Sequence, residues 1–105
     1  MKIFHLALVD AWEAARETGA YTVSTLGLDL ADVGFIHCSR AEQVEDVHQR
    51  FYAEVQEPLL LLTIDTDLLT SPWRLEEVQG ADLTFPHIYG PLDVAAVLSA
   101  DPYGS

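Results

Sequence analysis

A chain of 105 residues, half of them hydrophobic and 10% aromatic, is one domain over residues 1–105 with enough apolar surface to fold around a single core. Seventeen acidic side chains against five basic ones give a formal charge of −12, which repels a phosphate backbone and excludes duplex nucleic acid as a general partner. The single cysteine, Cys38, excludes an internal disulfide, and no apolar run reaches the ~20 residues that span a bilayer.

The opening "MKIFHLALVDAWEAA" lacks the apolar run and cleavage pattern of a signal peptide, so a cytoplasmic protein without membrane contact is expected. Oligomeric state leaves no readable mark. Residues 2–8, "KIFHLAL", alternate as a strand, with Phe4, Leu6 and Leu8 on one face and Ile3, His5 and Ala7 on the other. Asp10 and Glu13 in "DAWE" form a capping box, which predicts a helix over 11–18 turned off by Gly19. Residues 21–33 have no clean period and are expected to form a loop with at most one helical turn, long enough to cover a site.

Residues 34–38 read as a short strand. Ser39 and Glu42 in "SRAE" repeat the capping logic and predict a helix over 40–54, with an apolar stripe of Val44, Val47, Phe51 and Val55. "LLLLTID" is apolar on both faces, as a central strand covered on both sides should be, and Asp65 and Asp67 then serve its turn. "WRLEEV" and "FPHIYG" follow as strands separated by a "QGAD" turn, with Pro86 restricting the second to an edge or irregular position. "PLDVAAVLSA" is either a helical turn or a last strand. The sum is an α+β fold with a mainly antiparallel or mixed sheet and one or two packed helices.

Strand alternation places Phe35, His37 and Ser39 on one side of their strand, and Phe85, His87 and Tyr89 on one side of theirs. With His5 on the same side, three imidazoles line one cleft, the few polar groups that orient a ligand in an apolar pocket. The plainer alternative is that each histidine simply bonds a backbone carbonyl. His5, His37, His87, Cys38 and Glu76 are zinc-ligand types, yet no H-x-x-x-H or C-x-x-C spacing occurs, so no metal ligand is assigned. Cys38 faces opposite to His37 and is assigned to packing. Glu76 alternates with Arg74. The pair is either a surface ion pair or, if it shares the histidine face, a carboxylate that orients a reacting group.

In order, "IFHLALVDAWEAA", "GFIHCSRAEQVEDV", "LLLLTIDTDLL", "WRLEEV" and "FPHIYGPLDVAAV" resemble the small bacterial domain-of-unknown-function family 952 (DUF952) over nearly the whole chain. The signatures "FIH-x-S" and "FPH-x-YGPL" are specific together. That family is in turn similar to the ADP-ribosyltransferase-like fold, in particular to NAD-using RNA 2'-phosphotransferases. The matching order here is His5, then His37 and Ser39, then a helix, then "LLLLTID". The resemblance implies NAD as cofactor, or an ADP-ribosylated small molecule as ligand. His5 would contact a ribose hydroxyl, and "FIHCS" would form a wall of the nicotinamide pocket.

In a transferase or hydrolase of this kind Glu76 stabilises an oxocarbenium-like centre, and His37 or His87 acts as acid/base or orients ribose. Ser39 and Tyr89 line the same cleft. RNA phosphotransfer is not implied, since the acidic surface suits RNA poorly. The sequence also departs from those enzymes in having Leu-Ala after His5, where they carry glycine and a small hydroxyl residue that let the backbone approach the nicotinamide. Two other readings stay open: a non-catalytic metabolite- or protein-binding module, and a metal-dependent hydrolase.

Overall fold

The computed structural model describes residues 1–25, 28–78 and 83–103. The fold is α+β and every strand pairing in it is antiparallel. One three-stranded sheet contains β1 (Lys2–Leu8), β6 (Leu59–Asp65) and β10 (Val97–Tyr103), with β6 in the middle. The other contains β5 (Ile36–His37), β8 (Phe85–Ile88) and β7 (Trp73–Glu76), with β8 in the middle. Two short pairs complete it: β2 (Ala20–Tyr21) with β9 (Leu92–Asp93), and β3 (Val23–Thr25) with β4 (Leu28–Asp29).

Register shows how the alternation of β1 is used. His5 lies opposite Leu62 and Ile3 opposite Ile64, so these share a face. Ile3, Ala7, Leu62 and Ile64 join Trp12, Tyr21, Ile36, Cys38 and Ile88 in one buried cluster. The other face carries Leu6, opposite Leu61, and packs with Val44, Val47, Tyr52, Leu59 and Phe85 in a second cluster. The central sheet is thus covered on both sides, as its apolar β6 requires. The two sheets are joined where Phe4 N–H donates to Ser39 O (2.8 Å) and Ser39 N–H to Phe4 O (2.7 Å).

Helix α1 (Val9–Thr18) begins earlier than the capping box predicts: Leu8 is its N-cap and no side chain caps it. Asp10 instead lies in the first turn, where its charge suits the helix N-terminus. Gly19 closes the helix as expected, at φ 90° with its N–H on Ala15 O at 2.7 Å. The expected loop at 21–33 contains one helical turn, α2 (Leu30–Val33), and also β3 and β4, which are too short to carry a period.

The predicted helix over 40–54 differs most. Because the Ser39 main chain is held extended on Phe4, the cap shifts by one: Gln43 Oε1 accepts from Arg40 N–H at 2.9 Å. A 3₁₀ turn at Ala41–Gln43 leads into α3 (Val44–Val47), and His48–Tyr52 is wound as a π-turn. That wider turn moves the buried face from Phe51 to Tyr52, five residues after Val47, and leaves Phe51 56% exposed.

Pro86 lies in a central strand, not at an edge. Its carbonyl accepts from Cys38 N–H (2.9 Å), so its missing donor faces the end of β5, where that strand is already leaving to meet β1. The last segment is both things its sequence allows, a turn at Val94–Ala96 followed by β10. The "QGAD" turn lies outside the described residues. Among those described, no helix is long and apolar enough to cross a membrane.

Gly90, two residues beyond the end of β8, has φ 154°, and a Cβ there would stand 2.5 Å from Ser71 Oγ. Gly90→Ala is expected to lose about 1–3 kcal/mol of unfolding free energy. Urea denaturation checks this, and an unchanged midpoint would show that the turn can relax around the added methyl.

Candidate functional site

Strands β5, β8 and β7 build the site on one face of their sheet. His37 lies directly opposite His87. Arg74 lies opposite His87 and Glu76 opposite Phe85, so Arg74 and Glu76 share the histidine face. A chain of contacts follows. Glu76 Oε1 lies 2.9 Å from His87 Nδ1 and also accepts the Tyr89 hydroxyl proton, while His87 Nε2 lies 3.3 Å from His37 Nδ1. His87 is clamped on its flat side by Phe35, stacked at 4.1 Å and 18°.

His37 ends the chain. Its ring lies 5.1 Å from Phe85 and meets Phe51 edge-on at 6.4 Å. Among the described residues, its Nε2 is the buried side-chain nitrogen or oxygen that has no hydrogen-bond partner. Burial, and then the neighbouring His87 and His5, push its pKa down to about 4, so the ring is neutral near pH 7. The Tyr89 and His87 donors hold the Glu76 carboxyl below its ordinary range, and the same bond raises the Tyr89 hydroxyl. Arg74 lies over the Tyr89 ring at 5.5 Å.

His5 supports this site from behind. Its Nδ1–H donates to the His37 carbonyl at 2.7 Å, and its Nε2 accepts the Tyr21 hydroxyl at 3.0 Å. Both nitrogens are therefore taken by the protein, and burial lowers its pKa to about 4 despite the carbonyl bond. The structure thus joins His37 and His87 ring to ring, with Glu76 and Tyr89, and brings His5 to the His37 backbone only. Ser39 is buried, and its main chain bridges to Phe4. Cys38 packs in the core, where burial raises its thiol pKa.

Three supporting residues carry no sequence signal of their role. Tyr21 holds His5, and buried Ser24 Oγ accepts the His37 N–H at 3.3 Å. Both lie in the stretch without a period. Thr84, next to Phe85, holds Arg40, its hydroxyl accepting from Nη2 at 2.8 Å and its carbonyl from Nε at 3.3 Å. No group of three or more His, Cys, Asp or Glu suited to a metal ion occurs among the described residues.

The crystal structure of protein CC0527 from Caulobacter crescentus superposes with a TM-score of 0.82 at 30% identity, over 97% of this chain and 85% of that one. Its solution NMR structure gives a TM-score of 0.73 at 32% identity, over 94% of this chain and 81% of that one. No curated protein matches the chain. The family described as "Protein of unknown function (DUF952)" matches residues 6–100, and the chain belongs to that family.

Proposed function

We propose that the face bearing His37 and His87 binds a small nucleotide of the NAD or ADP-ribose type. The observation that carries this reading is His37 Nε2, a buried nitrogen without a partner. Leaving such a group unmet costs about 1–3 kcal/mol, which a polar group on a ligand recovers. Phe51 lies outside both buried clusters, 56% exposed, and meets the His37 ring edge-on. Arg74, one of only five Lys and Arg residues in the chain, lies on the histidine face over the Tyr89 ring and offers charge to a pyrophosphate. The order of histidine strand, His-x-Ser strand, helix and apolar strand, by which the chain resembles ADP-ribosyltransferase-like proteins, supports the same ligand class.

Turnover is a second reading, favoured by the contact chain itself. If His37 Nε2 takes a proton from a ligand hydroxyl or water, Glu76 stabilises the resulting charge through His87. Glu76 Oε2, outside both recorded bonds, is then the atom that faces an oxocarbenium-like ribose.

A thermal-shift titration against NAD, ADP-ribose and nicotinamide tests the binding reading. A ligand at about 100 times its Kd adds about 2.7 kcal/mol, roughly 10 °C or more for a domain of this size. The shift should vanish in His37→Ala. Flat curves for the wild type with every ligand would remove the reading. Release of nicotinamide from NAD separates turnover from binding.

A further inference from the structure

We infer that the Glu76–His87–His37 chain fixes His37 Nε2 as a hydrogen-bond acceptor, so that the site takes ligands through an N–H or O–H group and rejects carboxylates there. The inference rests on the binding reading above and names which chemical group is selected.

The argument follows the protons along the chain. Glu76 Oε1 receives two donors, Tyr89 OH and His87 Nδ1, so the carboxyl is ionised and His87 Nδ1 carries hydrogen. A bare Nδ1 at 2.9 Å from a carboxylate oxygen would set lone pair against lone pair. With that hydrogen placed, neutral His87 has a lone pair on Nε2. The 3.3 Å contact to His37 then requires hydrogen on His37 Nδ1. A neutral imidazole carries one N–H, so His37 Nε2 is left with a lone pair. Burial and the neighbouring imidazoles oppose charging His37. The polarity belongs to two neutral rings, which makes the alkaline side of neutrality the proper condition for the test. Glu76, Arg74 and Tyr89 are the titratable groups that face the pair, and His5 lies behind it on the His37 carbonyl.

Such a nitrogen welcomes a carboxamide N–H or a ribose hydroxyl. A carboxylate places a second lone pair against it in a buried setting, where an unmet polar atom is costly. Glu76 acts here as a positioning residue, since it sets the tautomer of His37 through His87.

Nitrogen-15 NMR of histidine-labelled protein at about pH 8 reads the tautomer directly. The expected result is a pyridine-type Nε2 and a pyrrole-type Nδ1 on His37. In parallel, nicotinamide should bind at least about tenfold more tightly than nicotinate, and Glu76→Ala should erase that preference and blur the two nitrogen-15 signals. A pyrrole-type Nε2, or nicotinate binding as well as nicotinamide, overturns the inference. A pyridine-type Nε2 in a protein that binds none of the nicotinamide compounds supports the acceptor polarity and sinks the nucleotide reading instead.

Discussion

Acidifying the protein from about pH 7 to about pH 4 is expected to remove several kcal/mol of stability. His5 is held neutral in the fold, with its pKa lowered from 6.5 to about 4 by burial, while the unfolded chain takes up its proton near 6.5. The unfolded state therefore binds more protons throughout that window, and stability falls as pH falls through it. The difference is worth about 3 kcal/mol for His5 alone. His37 moves in the same direction for the same first reason. Glu76 acts in a lower window: its depressed pKa stabilises the fold above the ordinary carboxylate range and loses that effect only as pH drops below it.

Urea unfolding at a series of pH values checks the effect, with His5→Asn as the informative variant. Asparagine keeps an N–H donor for the His37 carbonyl and cannot titrate. Its stability should be lower at neutral pH, since Tyr21 loses its acceptor, and should fall about half as steeply on acidification. An acid slope identical to that of the wild type would mean that His5 is hydrated and that its burial is not the source of the effect.

Much of the fold was legible because two kinds of pattern are local. The alternation in "KIFHLAL" assigns each side chain to its face, and those faces pack in separate clusters. Gly19 announced the end of α1 because a left-handed turn needs it. The π-turn at His48–Tyr52 was not legible, since the choice between Phe51 and Tyr52 as the buried ring depends on how the segment packs on β1 and on the Tyr52–Leu6 contact. Pro86 misled for a related reason. Its central position is tolerated only because β5 is so short, and β5 is short because Ser39 pairs with Phe4.

The candidate site divides in the same way. Phe35, His37, Phe85, His87 and Tyr89 were readable as like-facing residues, and the register adds Glu76 and Arg74 to their face. Proximity across strands is a property of the register, which no single strand reports. That is why His5 looked equivalent to the other histidines. It sits on the core face of β1 opposite Leu62 and reaches His37 through a carbonyl. Tyr21, which fixes the His5 ring, lies in a two-residue strand with no period to announce it.

Leu62→Ala is expected to lose about 2–5 kcal/mol at neutral pH, a large part of the stability of a small domain. Leu62 is fully buried in the middle strand and lies opposite His5 on the shared core face. Truncating it opens a cavity beside an imidazole, a place polar enough to admit water. Hydration would move the His5 pKa back toward 6.5, so the variant should lose less stability than the wild type between about pH 7 and about pH 4. Leu61→Ala is the control, because Leu61 lies on the opposite face among the second cluster and away from His5. It should weaken the fold and leave the acid slope unchanged. Parallel acid slopes in the two variants would show that the leucine above His5 does not keep it dry, and that the lowered pKa is set from the Tyr21 side of the ring.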